Sequence, residues 1–175
     1  MPTLPSPRTP GRYRIALVCL GNICRSPMAD VVLTDRIAAA GLHDRVTVVS
    51  SGTGDWHVGG PMDRRAAALL ATEGYPIDLA SAHRAQQVQP SWLTDCDLLL
   101  AMDRQNLHDL HALADGDLEP DRVRLFGDFD PVDPGAEVPD PYFGGDDGFH
   151  GVLAMVERTS DALADALQAE FRGSP

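Results

Sequence analysis

A cysteine and an arginine separated by five residues carry the clearest chemistry in this sequence of 175 residues. Cys19 ends a short apolar run, and Arg25 follows it in the segment CLGNICRSP. A loop bent between a strand and a helix can turn several backbone N–H groups toward one point, where the positive end of the helix dipole also acts. The guanidinium of Arg25 adds paired donors that match two phosphate oxygens. The segment therefore predicts a phosphate-binding loop built around a thiol nucleophile.

The residues around the cysteine suit the same chemistry. A positive site favours the thiolate form of Cys19, which is the nucleophilic form, and the hydroxyl of Ser26 can donate a hydrogen bond to it. Gly21 allows the backbone to approach a ligand closely, and Asn22 tolerates a left-handed backbone conformation. A cysteine and an arginine at this spacing are weak evidence alone. Their placement between a strand and a capped helix makes the prediction specific.

A carboxylic acid downstream supplies the second catalytic group. Hydrolysis of a phosphate ester requires an acid that protonates the leaving oxygen and a base that activates water. Asp140 lies between two prolines in the segment VPDPYF, and these prolines stiffen its backbone. An Asp-Pro pair by itself usually marks a turn. Together with the cysteine loop, it predicts a general acid on a loop.

These groups need a scaffold that brings them together. The apolar run 14–19 predicts a strand, and a helix is expected over 26–40, with Ser26 as its N-cap, Pro27 in its first turn and Gly41 after its end. Further strands are predicted over 46–51, 97–102 and 123–126, and further helices over 62–73, 106–113 and 146–171. Because strands alternate with helices, the fold class is α/β with a parallel sheet. A ligand site is then expected at the carboxyl ends of the strands.

Composition excludes several other classes of protein. The chain has 14 basic and 26 acidic residues, a net charge of −12, and every basic residue is an arginine. The absence of lysine excludes a Walker-type phosphate loop, a pyridoxal Schiff base and a lysine nucleophile. The acidic charge argues against nucleic-acid binding through a broad basic surface. Any anion site must therefore be built locally.

Cysteine usage and hydropathy bear on location and cofactors. Three cysteines without paired spacing indicate neither a disulfide framework nor a zinc site, and they favour a reducing, cytoplasmic compartment. No apolar run reaches the roughly 18 residues of a membrane span, and the N-terminus does not resemble a signal peptide. Residues 1–11 include four prolines and are predicted to be a disordered tail before a single domain over 12–175.

The segments CLGNICRSPMA and DPYFG resemble the low-molecular-weight protein tyrosine phosphatases of bacterial type. The resemblance extends from Arg14 to about Phe171 and includes SSGTGDWHVGGPMDRRA, HRAQQV and LLLAMDRQN. It implies three layers, in which helices flank a four-stranded parallel sheet and the phosphatase loop joins the first strand to the first helix. It also implies metal-free hydrolysis, without a cofactor, of phosphotyrosine proteins and small aryl phosphates by a monomer or weak dimer.

The resemblance assigns a role to each matching residue. Cys19 is the nucleophile that forms a phosphocysteine, Arg25 binds the phosphoryl oxygens, and Asp140 is first the general acid and then the base. The other implied substrate-binding residues are Leu20, Gly21, Asn22, Ile23, Cys24 and Ser26 in the loop, and Trp56, Tyr142 and Phe143 around the substrate ring. Ser50 and His83, with Asn22 and Ser26, are implied to hold the loop in shape.

Three alternatives remain at this point. A thioredoxin-coupled arsenate reductase needs two further cysteines, whereas Cys96 is the only one outside the loop and is expected to be a small core residue. A protein-arginine phosphatase has threonine at the position of Ile23. A phosphotyrosine-binding module without turnover would normally lack the cysteine or the acid. Independently of these, Cys24 is a candidate to trap oxidised Cys19 as a disulfide.

Overall fold

Four parallel strands form one sheet among the residues that the structure, a computed structural model, describes, namely 2–116 and 118–173. The strands are β1 (Tyr13–Cys19), β2 (Val46–Gly52), β3 (Leu98–Ala101) and β4 (Val123–Leu125). Their order in the sheet is β2-β1-β3-β4, so the first strand is central. This confirms the predicted parallel sheet. Residue 1 of the predicted tail and residues 117, 174 and 175 of the predicted domain lie outside the description.

Helices connect and cover the strands. They are α1 (Arg25–Ala39), α2 (Arg64–Thr72), α3 (Ile77–Ala82), α4 (Trp92–Asp95), α5 (Arg104–Leu113) and α6 (Asp146–Arg172). The four predicted helices are present, with ends shifted by two residues or fewer. The short α3 and α4 and a 3-10 turn at Pro120–Arg122 were not predicted, because one turn or two cannot establish a helical period. None of the described helices is long and apolar enough to cross a membrane.

The central strand explains why the fold has three layers. Residues 15 to 18 of β1 are apolar and completely buried, so side chains on both faces of this strand pack into a core. On one face they pack with α1 and α6, and on the other with Cys96 and Leu110 of the opposite layer. Burial raises the pKa of the Cys96 thiol to about 11. Cys96 is therefore a small core residue, as predicted.

The start of α1 differs from the prediction that Ser26 caps it. Arg25 is the first helical residue, Cys24 is in the N-cap position, and no side chain makes a capping hydrogen bond. The Ser26 hydroxyl instead lies 3.0 Å from Cys19 Sγ and accepts a hydrogen bond from Asn22 Nδ2 at 2.8 Å. The Ser26 hydroxyl is therefore engaged with Cys19 and Asn22 in the preceding loop and does not cap the helix.

The N-terminal segment, for which disorder is predicted over 1–11, lies along the domain where the structure describes it. The backbone N–H of Arg8 donates to Asp97 Oδ1 at 2.6 Å, and Arg8 Nε donates to the Cys96 carbonyl at 3.0 Å. The hydroxyl of Tyr13 donates to the Pro5 carbonyl at 3.0 Å. These contacts join the segment to the end of the sheet opposite the cysteine loop. Proline content gives no information about such long-range bonds.

Candidate active site

The loop between β1 and α1 closes around the sulfur of Cys19. Asn22 has the left-handed backbone conformation that its residue type tolerates, with φ of 56°. This bend directs the backbone N–H of Asn22 to Cys19 Sγ at 3.2 Å, while the Ser26 hydroxyl lies on another side of the sulfur at 3.0 Å. The sulfur therefore has two polar neighbours within its own loop. Both can donate to a thiolate.

The side chain of Asn22 holds the loop in this shape. It is completely buried, and its Nδ2 donates to the hydroxyls of Ser26 and Ser50 at 2.8 and 3.1 Å. Its Oδ1 accepts the backbone N–H of Gln86 at 3.0 Å. Gln86 also donates from Nε2 to the Ser50 carbonyl at 3.0 Å. Gln86, three positions after His83 in the chain, was not predicted from the sequence.

The side chain of His83 contacts the backbone of the same loop. Its Nε2 is 2.7 Å from the Asn22 carbonyl oxygen, which can only accept a hydrogen bond, so the imidazole carries a proton on Nε2. Burial lowers the pKa of His83, the bond to Asn22 raises it, and the nearby Arg84 lowers it further, with a net decrease. The neutral ring thus supports the loop without adding a positive charge.

A carboxylate lies behind the loop in a small cavity that it shares with His83. Asp30, on α1, accepts a hydrogen bond from Thr34 Oγ1 at 3.2 Å and another from the Ser50 hydroxyl. Burial raises the pKa of Asp30 to about 6, and these two hydrogen bonds offset part of the rise. Asp30 was not predicted from the sequence, where it is one acidic residue on an amphipathic helix.

We expect Asp30→Asn to stabilise the protein at pH 7.5 but not at pH 4. Because burial raises the folded-state pKa from 3.8 to about 6, ionisation of Asp30 costs stability that grows as the pH rises between these two values, is complete above about pH 6 and is small at pH 4. The free energy of unfolding should rise by at most about 3 kcal/mol, which is the energy that corresponds to a pKa difference of roughly two. Urea unfolding at both pH values measures it, with Asp35→Asn on the same helix as the control. An equal gain at both pH values would contradict the assignment.

The side chain of Arg25 is buried and forms an ion pair with a carboxylate. Its Nη1 donates to Asp103 Oδ2 at 2.6 Å and to the Val138 carbonyl at 3.0 Å. Asp103 also caps α5 by accepting the Asn106 N–H at 2.7 Å, which fixes its carboxylate. Asp103 was not predicted from the sequence. Its position just after a buried strand, at the carboxyl edge of the sheet, is a signal that could have found it.

The loop after β4 brings Asp140 to the same place. Asp140 Oδ2 lies 3.6 Å from Arg25 Nη2, and Asp140 Oδ1 accepts the Tyr142 N–H at 3.1 Å. The loop is held at its base by Val138, whose N–H donates to the Met102 carbonyl at 2.8 Å. The side chain of Asp140 is 39% exposed, so it faces an open cleft.

Aromatic side chains form the mouth of that cleft. Trp56 and Phe143 are 71% and 94% exposed, and Tyr142 packs edge-on against Phe143 with ring centroids 4.9 Å apart. His57, which was not predicted, lies 6.2 Å from the Tyr142 ring. Large exposed rings beside a polar floor suit a ligand that has an aromatic part and an anionic end.

The predicted residues thus separate into two groups. Those that line the cleft are Cys19, Leu20, Gly21, Ile23, Cys24, Arg25, Trp56, Asp140, Tyr142 and Phe143, together with His57. Those that hold the loop in shape are the buried Asn22, Ser26 and Ser50 and the half-buried His83. Within the described part of the chain, no group of three or more His, Cys, Asp or Glu side chains is placed to hold a metal ion.

Comparison with known proteins agrees with this geometry. The family model described as "Low molecular weight phosphotyrosine protein phosphatase" matches residues 14–172. A low molecular weight protein-tyrosine-phosphatase from Streptomyces coelicolor is 44% identical over 163 residues, 92% of this chain and 97% of that protein. The crystal structure of YfkJ from Bacillus subtilis is similar with a TM-score of 0.83 at 32% identity, covering 91% and 96% of the two chains. The YwlE arginine phosphatase has a TM-score of 0.78 at 25% identity, covering 91% and 99%.

Proposed function

This chain belongs to the low-molecular-weight phosphotyrosine protein phosphatase family, a family of hydrolases, and we propose that it hydrolyses phosphotyrosine in proteins and small aryl phosphates. The observation that carries the proposal is the convergence of three groups on one cleft. Cys19, Arg25 and Asp140 all line it, and the Arg25 and Asp140 side chains lie 3.6 Å apart at their nearest charged atoms. These groups supply a nucleophile, an anion-binding fork and a general acid.

In the first step, the Cys19 thiolate attacks phosphorus and the bond from phosphorus to the phenolic oxygen breaks. The carboxyl proton of Asp140 passes to that oxygen, so tyrosine leaves as a neutral phenol. The backbone N–H groups of the loop and the Arg25 guanidinium bind the three non-bridging oxygens, whose charge is redistributed in the transition state. Asp103 holds Arg25 through the 2.6 Å bond and so directs its remaining donors into the cleft.

In the second step, water attacks the phosphorus of the phosphocysteine. The Asp140 carboxylate accepts the proton of that water, the bond from phosphorus to sulfur breaks, and inorganic phosphate leaves. Asp140 regains its proton and Cys19 regains its thiolate form. The exposed position of Asp140 supports this role, because water reaches its carboxylate from the cleft.

The walls of the cleft favour an aromatic phosphate ester. Trp56, Tyr142 and Phe143 offer ring faces and edges to a phenyl group, while Ile23 and Leu20 add apolar surface near the loop. The sulfur of Cys19 is buried, so a phosphate group must extend deep into the cleft to reach it. The long side chain of phosphotyrosine suits this better than that of phosphoserine, whose ester oxygen lies close to its own backbone. Cys19 has only 2% of its surface exposed.

A comparison of phosphorylated substrates tests this proposal. We expect hydrolysis of p-nitrophenyl phosphate and a phosphotyrosine peptide in the presence of a metal chelator, with far slower release of phosphate from phosphoserine and phosphoarginine peptides of the same sequence. Ile23 is the basis for the last expectation, because an apolar side chain offers phosphoarginine no hydrogen bond where the arginine-phosphatase branch has threonine. A preference for phosphoarginine would instead place the chain in that branch.

The proposed conditions of action follow from charge and cysteine chemistry. The described cysteines are all free, which suits a reducing compartment, and we propose a cytoplasmic location. A net charge of −12 opposes nucleic acid as a partner. We further propose a monomer or weak dimer, which sedimentation at several protein concentrations tests.

Cys24 is proposed to protect Cys19 from irreversible oxidation. Peroxide converts the Cys19 thiolate to a sulfenic acid, and the Cys24 thiol then attacks that sulfur, forms a disulfide and releases water. Burial raises the pKa of Cys24 to about 12, with further contributions from Asp63 and Cys19, so the neutral Cys24 thiol is itself slow to react with peroxide and loses its proton only as it attacks the oxidised sulfur of Cys19. A thiol reductant restores both groups.

We expect Cys24→Ala to recover less activity than the unaltered protein after brief peroxide treatment and then reduction. Without a second thiol in the loop, the sulfenic acid proceeds to sulfinic acid, which thiols do not reduce. The measurement is the recovered fraction of p-nitrophenyl phosphate turnover, with Cys96→Ala as the control for loss of one thiol. Equal recovery in Cys24→Ala and the unaltered protein contradicts the proposal.

A further inference from the structure

Arg65, near the start of α2, forms a two-pronged ion pair with the residue that caps the same helix. Its Nε donates to Asp63 Oδ1 at 3.1 Å, and its Nη2 donates to Asp63 Oδ2 at 3.0 Å. The Arg65 backbone N–H also donates to Asp63 Oδ1, at 2.8 Å. Burial would raise the pKa of Asp63, but the hydrogen bonds from Arg65 lower it overall, so the pair stays charged. The guanidinium therefore has a fixed orientation.

The same guanidinium reaches across to the loop that carries Asp140. Its Nη2 donates to the Tyr142 carbonyl at 3.0 Å, and its Nη1 donates to the Gly144 carbonyl at 3.5 Å. Its centre lies 5.7 Å from the centroid of the Tyr142 ring and 4.6 Å from that of Phe149. A planar group with donors on two edges can make all of these contacts at once, whereas a lysine ammonium cannot.

The capping residue connects this arrangement to the phosphate loop. The backbone N–H of Asp63 donates to the Ile23 carbonyl at 2.9 Å, inside the loop that surrounds Cys19. On the other side, the Tyr142 N–H donates to Asp140 Oδ1 at 3.1 Å, so the residue that Arg65 holds is also the one that orients the acid. A continuous series of contacts thus runs from Ile23 through Asp63, Arg65 and Tyr142 to Asp140.

We propose that Arg65 is a positioning residue that sets the distance of Asp140 from the leaving oxygen by tying the Asp140 loop to the phosphate loop. The inference rests on the proposed phosphatase function and adds to it a residue that does not touch substrate. The Asp140 loop is held at its base by Val138, but Asp140 itself is exposed. Arg65 supplies the second attachment, on the far side of Asp140.

The test compares Arg65→Met with Arg64→Met. Both changes remove one arginine from the first turn of α2, and Arg64 is exposed at the preceding position, so the control matches net charge and helix location. Each variant is assayed with phenyl phosphate, whose leaving group needs a proton, and with 2,4-dinitrophenyl phosphate, whose leaving group does not. Inorganic phosphate is the inhibitor that reports on the phosphate loop.

In Arg65→Met we expect kcat/KM for phenyl phosphate, which reports the first step alone, to fall about tenfold or more, part of the contribution of a general acid. We expect kcat/KM for 2,4-dinitrophenyl phosphate to change less than about threefold, with phosphate inhibition unaltered. Added to Asp140→Asn, the Arg65 change should cost less than about twofold, because an effect that acts through Asp140 disappears without it. Hydrogen exchange at the Tyr142 amide should become faster in Arg65→Met, and Arg64→Met should resemble the unaltered protein throughout.

Three results would overturn the proposal. Equal losses of kcat/KM for both esters, or weaker inhibition by phosphate, mean that Arg65 acts on the phosphate loop or on folding rather than on the acid. A full additional loss in the Asp140→Asn background means that its effect does not pass through Asp140. If Arg65→Met behaves like Arg64→Met in all of these assays, Arg65 has no role in positioning Asp140. If the unaltered protein hydrolyses neither ester, the proposed function itself fails and the inference fails with it.

Discussion

Cys19→Ser is expected to lower kcat for p-nitrophenyl phosphate by at least about 10⁴-fold, the scale on which enzymes lose turnover without their nucleophile. A serine hydroxyl in the same loop stays protonated where a thiolate would form, and its oxygen is a weaker nucleophile. The two donors around the sulfur, the Asn22 N–H and the Ser26 hydroxyl, remain in place. The variant should therefore still bind phosphate.

Two measurements separate loss of chemistry from loss of folding in Cys19→Ser. Intrinsic fluorescence should change on titration with inorganic phosphate as it does in the unaltered protein, because exposed Trp56 lines the cleft. Cys96→Ala, which removes a thiol from the core on the opposite side of the sheet, should retain kcat. Turnover in Cys19→Ser near that of the unaltered protein would exclude a phosphocysteine at this residue.

Asp140→Asn is expected to lower kcat for phenyl phosphate by about 10² to 10⁴-fold, the usual contribution of general acid–base catalysis. The amide has nearly the shape of the carboxyl group but neither donates a proton to the leaving oxygen nor accepts one from water. The loss should be much smaller in the first step for 2,4-dinitrophenyl phosphate, whose phenolate leaves unprotonated. A series of aryl phosphates of increasing leaving-group pKa measures this, as the slope of log kcat/KM.

Asp133→Asn is the matched control for Asp140→Asn, since it makes the same exchange at an exposed position of the same loop. It should leave both the rates and the slope unchanged. A uniform loss across all leaving groups in Asp140→Asn would argue for a binding role instead of proton transfer. Unchanged rates would exclude Asp140 as the acid.

Local patterns in the sequence were enough for the main elements and for the cysteine loop. The buried strand before Cys19 reads as a continuous apolar run because both faces of a central parallel strand are covered. The left-handed bend at Asn22 is compatible with its residue type, because asparagine is one of the few residues other than glycine that tolerate this conformation. The N-cap assignment of Ser26 was wrong because a hydroxyl that is free to cap in an isolated helix is here held by Asn22.

The resemblance implied Ser50 and His83, but other groups that act through long-range contacts were not predicted. Asp103 and Arg25 are 78 positions apart in the chain, and Gln86 and Asn22 are 64 apart, yet each pair is joined by a hydrogen bond. Arg65 is one of two adjacent arginines with the same local context. Nothing in that context distinguishes Arg64, which is exposed, from Arg65, which contacts the Asp140 loop.

By itself, the sequence determined the order of the main strands and helices, indicated a thiol, an arginine and an acid as candidates for the site, and placed the thiol at the end of a strand. These properties follow from hydropathy, backbone preferences and the chemistry of single side chains, all of which act over a few residues. The tertiary structure alone decided which carboxylate holds Arg25, which groups lie behind the phosphate loop, and which arginine ties that loop to Asp140. Such choices depend on the distances between side chains from separate elements, and packing of those elements sets the distances.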